Sequence, residues 1–336
     1  LKMLSVTEDI YGNARIYILI IFLGLPFTLL YNFLSSILRA VGDSRTPFLF
    51  LAFSACLNVV LDLICIIVFK WGCAGAAFAT ITAQAISGLC CLIFIIKKVQ
   101  ILHPKRKDCH LQPVYVKEML VMGLPMGLQF SITAIGSMVM QSANNGLGSI
   151  YVSGFTAGMR IKQFAMCPFD ALANGVSVFC SQNLGAGKIK RIRKGLWQGV
   201  GVGFIYGLLI GLVLIFAGRS LAMLFISADQ TAVLDASAKY LRCLGFFYWS
   251  LGPLSVFRMS AQGMGFSGRA IFSGVTEMIA RTFVSFAFVG TYGFTAICFA
   301  DQTAWVSATL YITPVCLMCL RQVTREHERQ RAKIAD

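Results

Sequence analysis

Ala40-Val41-Gly42-Asp43-Ser44-Arg45 returns 223 positions later as Gly263-Met264-Gly265-Phe266-Ser267-Gly268. The glycine and serine coincide, and Tyr17 coincides with Tyr240 at the same offset. Each stretch joins two long apolar segments. Further along, Gly72 and Ala79 return as Gly293 and Ala300 at an offset of 221, so the second copy is two residues shorter there. Identities are few, but their order and the hydropathy around them are shared. Repeated halves built of apolar helices are the signature of a secondary transporter, whose site forms between or within the repeats. The second copy starts near Lys117, so the first would start about 106 residues ahead of Leu1. The chain also opens on leucine rather than methionine. The arithmetic therefore predicts an N-terminally truncated chain lacking roughly three helices of a complete first repeat.

Composition sets the class. Hydrophobic residues make up 57% of the chain, charged residues 13%, and mean hydropathy is +0.75. A soluble domain has about 25% charged residues, and this chain cannot supply such a polar surface. The apolar runs are about 20 residues or longer and rarely alternate, which argues against a membrane β-barrel. The expected fold is an all-α polytopic membrane protein with about nine spans, at 14–38, 47–69, 73–96, 118–140, 150–181, 195–217, 238–261, 270–290 and 303–320. The fifth run exceeds one straight crossing, so it either kinks at Pro168 or projects from the membrane.

The net charge of +15 follows the membrane, not a nucleic acid. Basic residues gather on alternate loops: Arg39 and Arg45; Lys97, Lys98, Lys105, Arg106 and Lys107; Lys188 to Lys194; Arg269; and the tail from Arg321. By the positive-inside rule these loops and the C-terminus are cytoplasmic. The expected organisation is residues 1–98 as three helices of a first lobe and 99–116 as a cytoplasmic linker. A complete six-helix second lobe follows at 117–323, then a basic tail at 324–336. Most of the twelve cysteines lie in spans as small apolar residues, and Cys316-x-x-Cys319 sits on an apolar helix with no second pair. The three histidines fall in a loop or the tail. No nucleophile, base or metal cluster marks an enzyme, and no cofactor is expected.

Polar residues inside the spans carry the functional signal. Asn58 and Asp62 are four apart on one face of the second span. A carboxylate at that depth costs several kcal/mol unless it is paired, hydrated, protonated or bound to a cation. Asp62 therefore reads as a proton carrier or, with Asn58 and Thr80 of the next span, as oxygen ligands for Na⁺. Glu277 and Arg281 are also four apart, and Arg281 falls at the repeat position of Asn58. That pair suits either a structural ion pair or a gate. Arg160, Lys162, Asp170 and Arg258 are further intramembrane charges. Gln129, Gln141 and Trp249 are candidates for lining a substrate cavity.

Ser36 to Pro47 (SILRAVGDSRTP), followed by Asn58 and Asp62, resembles the multidrug and toxic compound extrusion (MATE) transporters. So do Ser181 to Lys188 (SQNLGAGK) with Arg191, and Gly123-Leu124-Pro125. The resemblance implies a two-lobe, twelve-helix fold of which this chain supplies helices four to twelve. It implies a monomeric plasma-membrane antiporter that exports small amphipathic or cationic compounds against inward H⁺ or Na⁺. It also maps a first-lobe cation site onto Asn58, Asp62 and Thr80, with a further family aspartate on a helix ahead of this chain. Acids used by some members in the second lobe have no counterpart within 119–140 or 240–261. The alternative is a lipid-linked oligosaccharide flippase of the same superfamily, suggested by Arg160, Lys162, Arg258 and Arg281.

Overall fold

A computed structural model describes residues 8–103, 110 and 112–335; these form helices joined by short turns, with no strand among them. Two units emerge, Leu1–Leu111 and Gln112–Asp336. The basic residues Lys105, Arg106 and Lys107 lie outside the described residues.

The first unit holds α1 (Glu8–Ala40), α2 (Arg45–Leu63) and α3 (Gly72–Lys98). The face of α3 that meets its neighbours is made of small residues, among them Gly75, Ala79, Ala83 and Gly88. Small side chains let membrane helices approach closely. Hydroxyls then bond across helices: Ser54 Oγ donates to Ala83 O at 3.1 Å, and Ser87 Oγ donates to Phe50 O at 3.0 Å. Large residues such as Phe22, Leu23 and Leu49 remain exposed, as lipid-facing positions should. Past Leu63 the helix loosens into a π-helical turn, Ile64–Val68, which starts two residues beyond Asp62. Such turns are frequent at functional sites.

The repeated glycines have a conformational reason. Gly42 has φ +95° and Gly265 φ +94°, each just before a helix; Gly72 and Gly293 have φ +53° and +54°. A side chain is strained in this region, so the repeat preserved glycine where the backbone requires it. Asp43 follows the first of these turns. Its Oδ1 accepts from the backbone N–H of Arg45 at 3.1 Å and of Thr46 at 3.0 Å, capping α2. Hydrogen bonding from Thr46 holds this carboxyl below its ordinary value. A depressed carboxylate stabilises the fold above its unfolded pKa and loses that contribution as pH falls below about 4. Asp43→Ala should therefore lower the melting temperature by about 1–3 °C at pH 7, a cost near the low end for a cap because the group is exposed. The difference from wild type should shrink as pH falls below the ordinary carboxylate range and through the lowered pKa of Asp43.

The second unit comprises α4 (Pro113–Asn145), α5 (Ser149–Gly185), α6 (Ile189–Ala222), α7 (Thr231–Gly245), α8 (Leu251–Gly263), α9 (Ser267–Ala287), α10 (Val289–Tyr292) and α11 (Phe294–Ala335). Among the described residues, eight helices are long and apolar enough to cross a membrane. The seventh expected span, 238–261, is instead broken. α7 ends at Gly245, a 3₁₀ turn occupies Tyr248–Ser250, and α8 begins at Leu251 with Pro253 in its first turn, where proline is tolerated. The fifth span is one 37-residue helix that contains Pro168 without interruption. At 1.5 Å per residue it measures about 55 Å, so its end must project beyond a hydrocarbon core of about 30 Å. α4 starts at Pro113, inside the expected 99–116 linker, and α11 runs on through the basic tail to Ala335.

The broken helix packs on a glycine stripe. Gly199, Gly203, Gly207 and Gly211 recur every fourth residue on the buried face of α6. Gly203 lies against Gly252, Gly207 against Tyr248, and Gly211 against Gly245. Around this seam sit the largest buried side chains, Trp305, Tyr240, Tyr248, Phe155 and Phe169. Tyr248 meets Trp305 edge-on with centroids 5.6 Å apart.

Candidate functional site

Asn58 and Asp62 share a face of α2 because they are one helical turn apart. The Asn58 amide donates to Thr80 Oγ1 at 3.4 Å, across to α3. Thr80 in turn donates to Ala76 O at 2.9 Å, which leaves its oxygen lone pairs facing α2. Asp62 is half-buried, and its Oδ1 is buried with no hydrogen-bond partner among the described residues. The Asn58–Thr80 contact thus lies one helical turn along α2 from a carboxylate with an unsatisfied oxygen. Oxygen ligands of this kind suit a hard cation or a proton.

The second lobe gathers charges more densely. Asp301 on α11 is fully buried. Its Oδ2 accepts from Lys162 Nζ at 2.6 Å and from the Tyr240 hydroxyl at 2.9 Å; its Oδ1 accepts from Arg281 Nε at 2.9 Å. Arg281 also lies 3.4 Å from Glu277, one turn away on α9, and Glu277 accepts from Arg258. Tyr248 donates to the Lys162 carbonyl at 3.1 Å. Buried charges persist only when each is paired and hydrogen-bonded, and here five groups from four helices meet that condition jointly. A cavity of about 590 Å³ opens beside them, lined in part by Lys162, Arg281, Asp170, Thr133, Ser137 and Trp305. This volume lies within the usual range for small-molecule sites.

The two lobes are related at the level of single contacts. At the repeat offsets Asn58 corresponds to Arg281, Thr80 to Asp301, and Asp62 to Ser285. The Arg281–Asp301 bond therefore stands where the Asn58–Thr80 bond stands in the first lobe. Ser285 Oγ is buried without a hydrogen-bond partner among the described residues, like Asp62 Oδ1. At this place the first lobe holds a carboxylate and the second an uncharged hydroxyl, while the guanidinium one turn away in the second lobe is already satisfied.

Of the residues expected from sequence to line a substrate cavity or act as a gate, only Arg281 reaches this cavity. Gln129 is buried, and its Oε1 accepts from Gln262 at 2.7 Å, so it ties α4 to α8. Gln141 donates to Asn145 within its own helix at 2.9 Å. Trp249 packs edge-on against Phe204 of α6 and Arg160 is exposed, and neither lines the cavity. Glu277 sits behind Arg281 and serves as its counter-ion. Asp301 was missed because it falls just ahead of the 303–320 span. The repeat offset that places it opposite Thr80 was the signal.

A bundle of apolar helices with a repeated lobe plan and intramembrane charges defines a multi-pass membrane protein. The MatE family model matches residues 1–64 and 125–286. The chain belongs to the MATE family of transporters. It is 32% identical over 299 residues to "Probable multidrug resistance protein YpnP" of Bacillus subtilis strain 168, covering 88% of this chain and 64% of that protein. It is 24% identical to an "FAD transporter" of Shewanella oneidensis, covering 76% of this chain and 57% of that one. Its fold matches an outward-facing multidrug resistance MATE transporter with TM-score 0.90 at 19% identity, over 96% of this chain and 72% of the other. The chain thus spans roughly half to two-thirds of the length of these curated relatives.

Proposed function

We propose that this protein is a monomeric, cation-coupled exporter of drugs or other small amphipathic compounds in the plasma membrane, with its C-terminus cytoplasmic. The observation that carries the coupling site is the unsatisfied Asp62 carboxylate beside the Asn58–Thr80 contact. H⁺ or Na⁺ arriving there neutralises Asp62 and satisfies its oxygen, which favours the α2–α3 arrangement that releases substrate. Substrate taken from the cytoplasm favours the cation-free arrangement. A membrane potential supplies about 2.3 kcal/mol per charge per 100 mV, comparable to an ordinary coupling free energy between two sites. Substrate binds in the second-lobe cavity, where Trp305 and neighbouring methionines offer adaptable apolar contact.

The flippase alternative rested on Arg160, Lys162, Arg258 and Arg281 as cations for a lipid-linked phosphate. Lys162, Arg258 and Arg281 are each held by a carboxylate, which weakens that reading and leaves the exposed Arg160 as its remaining support.

Efflux from proteoliposomes under imposed H⁺ or Na⁺ gradients tests the proposal, with a dye cation and a flavin dinucleotide as alternative cargoes. Asp62→Asn is expected to reduce gradient-driven efflux by about tenfold or more, equivalent to roughly 1.4 kcal/mol of lost coupling. Efflux that keeps its gradient dependence in Asp62→Asn would remove Asp62 from the coupling step.

A further inference from the structure

We infer a binding site for an anionic phospholipid headgroup at the end of the second lobe where α6 begins and α11 leaves its apolar run. The sequence changes character at the same level on both helices. On α6 the basic stretch Lys188–Lys194 gives way to apolar residues at Gly195; on α11 the apolar stretch ends at Leu320 and Arg321 follows. This level is the membrane–water interface of the bundle.

A cavity of about 430 Å³ opens there. Arg193 and Trp197, four apart, line it from α6; Leu317, Arg321 and Arg325, also four apart, line it from α11, with Leu320 below. No carboxylate is among its lining residues. None of the three arginines makes an ion pair among the described residues, and all three are exposed. This contrasts with the interior of the same lobe, where every arginine of the buried network has a carboxylate. Three unpaired guanidinium groups on facing helices therefore converge on a space that holds no negative charge of the protein's own.

The occupant must bring both negative charge and apolar surface. Guanidinium groups bind phosphate oxygens in a bidentate manner. Below them the wall is Leu317, Leu320 and the Trp197 indole, itself braced edge-on by Phe257. A soluble anion would leave that wall uncovered. A phospholipid places its phosphate among Arg193, Arg321 and Arg325, its ester region at Trp197, and an acyl chain down past Leu317. Basic pockets between transmembrane helices at this depth are suited to such headgroups.

Native mass spectrometry of the purified protein, offered equal amounts of phosphatidylglycerol and phosphatidylcholine, tests this. The protein should retain phosphatidylglycerol about tenfold over phosphatidylcholine. Arg193→Gln/Arg321→Gln/Arg325→Gln should reduce that retention by about tenfold or more, given roughly 1 kcal/mol per basic residue near an anionic surface. If the triple variant does not purify as a single species, Arg321→Gln alone should lower retention about threefold or more. Equal retention of the two lipids, or unchanged retention in the variant measured, overturns the site. Displacement of the lipid by millimolar inorganic phosphate also overturns it, because the pocket would then bind any small anion.

Discussion

Asp301→Asn is expected to lower the melting temperature of the second unit by about 10 °C. Asparagine keeps the shape of the side chain and removes only its charge. Lys162 and Arg281 would then remain buried with one carboxylate fewer, and Glu277, already bonded to Arg258, stands beside Arg281 rather than Lys162. Removing one partner of a buried ion pair costs about 3–5 kcal/mol because the other charge is left uncompensated. In a domain of this size each kcal/mol shifts the midpoint by about 2–4 °C. The Tyr240 hydroxyl also loses a charged acceptor, which adds to the loss. Trp305 gives a local reading of the same event, since Lys162 Nζ lies 5.8 Å from its ring centroid. Lys162→Met should recover much of the stability when combined with Asp301→Asn, because it removes the stranded cation. Single and double variants, followed by intrinsic fluorescence during heating, complete the cycle. A shift under about 2 °C for Asp301→Asn would mean that water or another group satisfies Lys162, and that the network is not the keystone of this lobe.

The difference between the lobes gives this prediction its functional sense. In the first lobe the contact between the two repeat-equivalent helices is a neutral amide–hydroxyl bond beside an unsatisfied acid. That arrangement can respond to a cation because something is left to satisfy. In the second lobe the equivalent contact is a guanidinium–carboxylate bond with lysine and tyrosine added. Loss of Asp301 should therefore show first in stability, whereas loss of Asp62 should show first in coupling.

Much of this was legible in the residues. Apolar run length fixed eight of the spans, and the offset of 223 picked out Gly42 and Gly265, which the backbone holds at nearly identical positive φ. Asn58, Asp62 and Thr80 were placed together by helical spacing and small-residue packing, and the Asn58–Thr80 contact is present. What was hidden depends on contacts between distant segments. Lys162 and Asp301 are 139 residues apart in sequence, and no local pattern links them. Lys162 had a nearer candidate in Asp170, but two turns along α5 separate that pair in space. Gln129 and Gln141 looked like cavity residues because amides at membrane depth so often are. Their bonds to Gln262 and Asn145 are satisfied within the bundle, which a linear reading cannot show. The break at Phe246–Ser250 escaped because its residues are as apolar as a helix requires; only the facing glycines of α6 reveal why the chain bends there.

Those glycines support the second large effect, Gly252→Val. A Cβ at Gly252 would stand 2.4 Å from the Gly203 carbonyl carbon and 2.5 Å from its oxygen. Both neighbours are backbone, so no side chain can rotate away, and α6 must separate from α8. Replacing glycine inside a helix gains at most about 1 kcal/mol in propensity, and less for a β-branched residue. Overpacking costs about 1–3 kcal/mol even where side chains can yield. With backbone on both sides the loss should reach about 3 kcal/mol or more, and poor recovery of folded protein should accompany it. Gly201→Ala is the counterpart on α6: nothing lies within 4 Å of a Cβ there. It should leave the melting temperature unchanged or raise it by about 2–4 °C, as added helix propensity allows. If Gly252→Val melts with wild type, the close seam between α6 and α8 is not required. If it melts low while Gly201→Ala does not, the stripe at 199, 203, 207 and 211 is what keeps α7 and α8 broken. The same seam then holds Tyr248 against the Lys162 carbonyl, and Arg258 on α8 within reach of Glu277.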